Sequence, residues 1–189
     1  NLAQLWKIPA RKEELLAITD VLFEKIGRVT THTIPQISHI PIHLHARYSK
    51  DELLSAFGIE KPRSWVQGVR WVEHEKSDVF MVTINKSGKG FKPSTMYNDR
   101  AITPTIFQWD SQNETRENSR DGQRYINHVQ QGSSVHLFIR ENKAGAPPYL
   151  YAGPMTYVKH EGEKPMKILW ELEHALPADV FHYAKVTAS

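Results

Sequence analysis

From Trp65 to the C-terminus, apolar residues recur at every second position in short runs, separated by polar turns and by Gly, Pro and Asn. Few architectures accept that pattern, because alternation gives every strand one inward and one outward face. Val69 and Trp71, then Phe80, Val82 and Ile84, predict two strands across a polar turn at 73–78. Further strands are predicted at 102–109, 134–140, 149–153, 155–160 and 167–173, with a closing helical turn at 177–183. Short strands separated by turn residues specify a barrel or a sandwich.

The N-terminal part has a different period. Leu15, Ile18, Leu22 and Ile26 lie at helical spacing within residues 10–27, and Gly27 is a natural stop. Two prolines in 28–41 mark a linker or irregular cover. Ser49 and Glu52 form a capping box that opens a helix through Leu53, Leu54 and Phe57, ended by Gly58. The expected fold is therefore α+β: a compact β-barrel-like domain over 42–189, with an N-terminal helical arm over 1–41.

A chain of 189 residues suffices for one full core, or a domain with a small appendage. It has no cysteine, which excludes disulfides and thiolate zinc sites and fits a reducing cytoplasm. No apolar run approaches the roughly 18 residues of a membrane span, so no membrane partner is expected. The chain starts at Asn1, which predicts a fragment of something longer. A formal charge of +3 permits nucleic acid as a partner without requiring it.

Residues 83–125 concentrate the polar chemistry. Lys86, Ser87, Lys89 and Lys92 stand in NKSGKGFK, where Gly88 and Gly90 let the backbone approach a ligand. The segment reads either as a phosphate-gripping loop or as a solvated hairpin tip. It lacks Walker A spacing, which argues against nucleotide hydrolysis. Tyr97, Asp99, Trp109, Asp110, Gln112 and Asn113 follow. An extruded base needs an aromatic face and groups matched to its Watson–Crick edge. For cytosine, a carboxylate accepts from the exocyclic amine while an amide meets the ring nitrogen and carbonyl. A tryptophan at a strand end serves equally as core packing. Arg116, Arg120 and Arg124, with Gln123 and Asn127, interleave with Glu114, Glu117 and Asp121. They read as DNA contacts or as a salt-bridged loop.

Two other clusters carry less. His39, His43 and His45 lie close together, but His43 and His45 put only two imidazoles on one strand face, with no third ligand or second shell identified, so no metal site is expected. Glu73, Glu75, Lys76 and Asp78 resemble the carboxylate–lysine set of metal-dependent nucleases, but at the wrong spacing. No catalytic residue is assigned.

Several ordered blocks resemble one family. They are His43–Gly58 (HLHARYSKDELLSAFG), VTINKS at 82–87, TMY at 95–97, FQWDSQN at 107–113, GQRYINH at 122–128, VKHEG at 158–162 and PMKILWELEH at 165–174. Together they are similar to the C-terminal domain of unknown function of SauUSI-like type IV, modification-dependent restriction enzymes. One departure is Arg100, where the family carries a Tyr-like residue. The resemblance implies a recognition module, with a phospholipase-D-type nuclease and a DEAD-box helicase upstream in the same polypeptide. ATP and Mg would belong to those parts, and no cofactor to this fragment. It implies double-stranded DNA carrying 5-methylcytosine or 5-hydroxymethylcytosine as partner, and a barrel similar to the SRA and PUA modified-base readers. Chemistry within the matched blocks assigns the flipped base to Tyr97, Asp99, Trp109, Asp110, Gln112 and Asn113. It assigns the DNA backbone to Lys86, Ser87, Lys89, Lys92, Arg116 and Arg124. The alternatives are a docking or regulatory domain that reads no DNA, and a cryptic nuclease using Glu73, Glu75 and Asp78.

Overall fold

The computed structural model describes residues 7–26, 34–59, 68–84, 99–142 and 147–185. They fall into two compact units, 1–32 and 33–189. In the first, helix α1 runs Pro9–Ile26, with proline at the first helical position where its missing N–H costs nothing. Leu16, Ile18, Val21 and Leu22 are exposed on it. No described helix is long and apolar enough to cross a membrane.

The second unit is α+β, as the alternation predicts. Its strands are β1 (Arg47–Tyr48), β2 (Val69–Val72), β3 (Ser77–Thr83), β4 (Arg100–Ala101), β5 (Ile106–Asp110), β6 (Ser134–Arg140), β7 (Tyr149–Glu161) and β8 (Lys167–Leu172). Helices α2 (Lys50–Ala56), α3 (Arg120–Asn127) and α4 (Ala178–Ala184) accompany them. One eight-stranded sheet has the order β2-β3-β6-β7-β8-β5-β4, with β1 against β7. Only β3 and β6 pair in parallel among the described strands.

Strand β7 organises the sheet. It is continuous across Pro154, where the sequence predicts a break, because its two halves serve different neighbours. Leu150 to Met155 pair with β6, and Met155 to Glu161 pair with β8. The half facing β6 carries a bulge: Tyr151 and Gly153 face Phe138 and Leu137, leaving Ala152 extra. Gly153 takes φ 104°, and a Cβ there would lie 3.0 Å from Leu44 Cδ1. A bulge bends and twists its strand. The result is measurable. On a flat sheet β3 and β5, four places apart, would be about 19 Å from each other. The Phe80 and Trp109 rings are instead 4.2 Å apart. The sheet is barrel-like in its curl, but it is not a closed barrel, since β2 and β4 remain its ends.

The inner face of the roll buries Phe80, Phe107, Trp109, Tyr125, Leu137, Ile168 and Trp170, closed by α3 and α4. Behind β3 and β6, the outer face is covered by α2 and residues 34–42, with Ile34, Ile37, Ile40 and Ile42 buried. Those isoleucines extend the domain upstream of 42, into the stretch expected to be connector. Burial on both faces explains why β3, SDVFMVT, is buried at every residue but Thr83 and carries the unbroken apolar run 79–82. The predicted capping box on α2 is present: Ser49 Oγ accepts from the Glu52 N–H at 3.3 Å, and Glu52 Oε2 accepts from the Ser49 N–H at 2.6 Å.

Helix α3 stands where the sequence reads as a polar segment. Ser119 caps it, accepting from the Gly122 N–H at 3.2 Å and donating to the Arg116 carbonyl at 2.6 Å. Gly122 is required here, because a Cβ would sit 2.0 Å from that carbonyl oxygen.

Candidate nucleic-acid interface

The buried face of α3 carries Arg124 to the side of β3. Its Nε donates to Asp78 Oδ2 at 2.7 Å and its Nη2 to Asp78 Oδ1 at 3.0 Å. Asp121, one turn back, adds a third contact at 2.9 Å. The guanidinium also lies 4.6 Å from the Trp71 ring centroid. Burial pushes the Asp78 carboxyl upward, opposed by the donors and charge of Arg124. Burial works against the Arg124 charge as well, but the hydrogen bond and charge of Asp78, helped by Asp121, carry its pKa above the ordinary range.

Above this pair opens a groove of about 460 Å³. Trp71 and Arg124 form part of its wall, with Lys76 and Arg120 as cations and Gln123 and Gln131 as amides. The Trp71 indole N–H donates to Glu73, which also approaches Arg120 at 4.0 Å. Gln123 donates to the Glu117 carbonyl at 2.9 Å and accepts from Asn127 at 3.0 Å. The groove thus joins an indole edge, two amides and exposed positive charge within a volume typical of small-molecule sites, about 300–1,000 Å³.

Below the groove, a hydrogen-bonded chain rigidifies β3, β6 and β7. Tyr151 OH, His136, Ser134 and Ser77 are linked at 2.7, 2.9 and 2.8 Å, and the Ser77 hydroxyl donates to the Glu75 carbonyl at 2.9 Å. Burial pushes the His136 imidazole down to about 3, so it is neutral. One arrangement places a hydrogen in every link: Tyr151 donates to Nδ1, Nε2–H to Ser134, Ser134 to Ser77, and Ser77 to the carbonyl.

The predicted site residues separate. Tyr97, Lys86, Ser87, Lys89 and Lys92 lie outside the described residues. Trp109 does not form a stacking face: it is 4% exposed, with Phe80, Tyr125 and Trp170 around it in the core. Asp110, its neighbour on the strand, turns to the opposite face, so the two cannot line one pocket. Asp99 is also buried, and its Oδ1 accepts from the Asp110 N–H at 3.0 Å. Gln112 is half-buried and Asn113 exposed just beyond β5. Arg116 is exposed, whereas Arg124, expected on the DNA backbone, is buried in its ion pair. Asp78, weighed as a metal ligand, is held by that same arginine, and Glu75 pairs with His39 at 2.7 Å. No group of three or more His, Cys, Asp or Glu converges as a metal cage among the described residues. Trp71 and Gln131 are groove residues without a functional role in the sequence reading, and Lys76 entered it only beside the nuclease-like carboxylates. Trp71 served there only to mark a strand, although it stands two residues before a polar turn.

Fold and site together define an α+β domain with a rolled open sheet and a cationic, aromatic-edged groove along one side of α3. The chain belongs to the family described as Domain of unknown function (DUF3427), whose model matches residues 42–184. No curated protein matches the chain.

Proposed function

We propose that this domain is the recognition module of a modification-dependent restriction enzyme acting in the cytoplasm. It binds double-stranded DNA carrying 5-methylcytosine or 5-hydroxymethylcytosine and takes the flipped base into the groove at Trp71. The groove itself carries the reading: an indole, the amides of Gln123 and Gln131, and the cations Lys76 and Arg120 share one volume. The resemblance of the ordered sequence blocks supports it. Trp71 takes the stacking role first given to Trp109. Exposed Arg116, with Lys86, Ser87, Lys89 and Lys92, holds the backbone. The nuclease and helicase, with their ATP and Mg, lie upstream in the same polypeptide.

Extruding a base costs a few kcal/mol, and stacking returns about 1–3 kcal/mol of it, with phosphate contacts supplying the rest. Matched plain, methylated and hydroxymethylated duplexes in a gel-shift series test this. Trp71→Ala, checked for an intact fold by circular dichroism, lowers affinity for the modified duplex by roughly 5- to 150-fold and leaves the plain duplex nearly unchanged. Equal affinities for all duplexes in the unaltered protein refute modified-base reading. Binding to none at physiological salt leaves the docking alternative standing.

A further inference from the structure

The half of the sheet not backed by α2 presents its outer face. Register places four residues in one row across β4, β5, β8 and β7. Arg100 is opposite Gln108, Gln108 opposite Leu169, and Leu169 opposite Lys159. Their chain neighbours Ala101, Phe107, Trp109, Ile168 and Trp170 all point into the core, so this row points away from it. The adjacent row adds Lys167, with Glu161 across from it on β7. These side chains surround a cavity of about 240 Å³.

Three observations point to an anion. Arg100, Lys159 and Lys167 give three positive charges against two carboxylates, Glu161 in the lining and Asp110 across from Lys167 on β5. None of the three cations makes a salt bridge among the described residues; the pairs that form lie elsewhere. The Nε of Arg100 is buried and has no hydrogen-bond partner. Such a donor loses its water without gaining an acceptor, a cost of about 1–3 kcal/mol that a bound ion removes. The volume falls below the roughly 300 Å³ where drug-sized sites begin, which suits one small anion with water rather than a nucleoside. A guanidinium fork matches a tetrahedral oxyanion, and two lysines supply point charges around it.

We infer that this row is a binding site for a phosphate-type oxyanion, with Arg100 donating to one oxygen and Lys159 and Lys167 neutralising the charge. The oxyanion is either a phosphodiester of the DNA backbone or free phosphate. The site is separate from the Trp71 groove and does not depend on modified-base reading.

The test uses the full chain with inorganic phosphate as probe, followed by NMR, and a plain duplex followed by fluorescence anisotropy across salt concentrations. Phosphate saturably shifts amides near Arg100, Gln108, Lys159 and Leu169, at least 10-fold more weakly in Arg100→Gln. Should Arg100→Gln fold poorly, Lys159→Gln combined with Lys167→Gln at exposed positions gives the same loss. A DNA phosphate at this site lowers the salt slope of duplex binding by about 1 in the variants and weakens plain and methylated duplexes alike. Phosphate binding with an unchanged DNA salt slope assigns the site to free phosphate. No saturable shift in the unaltered protein, or the same shift in the variants, overturns the site. Loss of discrimination between duplexes is read at Trp71→Ala, so the two readings fail separately.

Discussion

At β3 the Arg124 guanidinium meets two carboxylates and lies beside an indole, while at β4 the Nε of Arg100 is buried with no acceptor. Both arginines belong to the same sheet-and-helix body. The difference lies in what the fold sets opposite them. Asp78 and Asp121 converge on the first from a strand and from its own helix, whereas the second faces Gln108 in its row. The first region is therefore held fixed by its internal partners, and the groove above it inherits a rigid wall. The second keeps its positive charge available. An arginine in a basic-looking stretch informs on ligands only once its own protein partners are known.

The largest expected effect attacks the fixed side. Arg124→Ala leaves Asp78 buried without its partner and lowers the unfolding free energy by about 3–5 kcal/mol in urea titrations. A loss below about 1 kcal/mol would remove the contrast between the two arginines.

The next concerns the chain beneath the groove. His136 binds a proton near 6.5 when unfolded and only near 3 when folded. Between those values the unfolded state holds more protons, so this contribution is fully present above pH 6.5 and drains away as pH falls toward 3. At about 1.4 kcal/mol per unit, some 2 kcal/mol is gone by pH 5, 1.5 units down. Melting temperature followed from pH 7 to pH 4 reads it, and a flat profile contradicts the neutral imidazole. The smallest effect is at the open side. Arg100→Gln removes an unsatisfied donor, and stability changes by no more than about 0.5 kcal/mol or rises. A loss above about 2 kcal/mol would place Arg100 with Arg124 among the internal supports.

Much of this architecture is legible from residue order. The alternation marks the strands, and Ser49 with Glu52 locates the start of α2. What escapes has physical causes. Helix α3 buries Gly122, Arg124 and Tyr125, a set without apolar periodicity. Pro154 looks like a strand break, but β7 changes partners near that residue, so its missing N–H does not interrupt one long ladder. Ile34, Ile37, Ile40 and Ile42 sit among prolines and histidines, and only the outer face of β3 and β6 gives them a place to bury. Alternation around Trp109 fixes that its neighbours face the other way, but not which side is inside. That is decided by how far the sheet curls. Trp71 is overlooked for the converse reason: its half-exposure depends on α3 arriving beside it.

The handover at Met155, opposite Val135 on one flank and Leu172 on the other, ties the two flanks of the roll to a single backbone. Neither flank can peel off as an independent folding unit, because each would take half of the other's supporting strand with it. Thermal disruption therefore spreads through the whole body in one cooperative step, and the two candidate contact surfaces persist or vanish together.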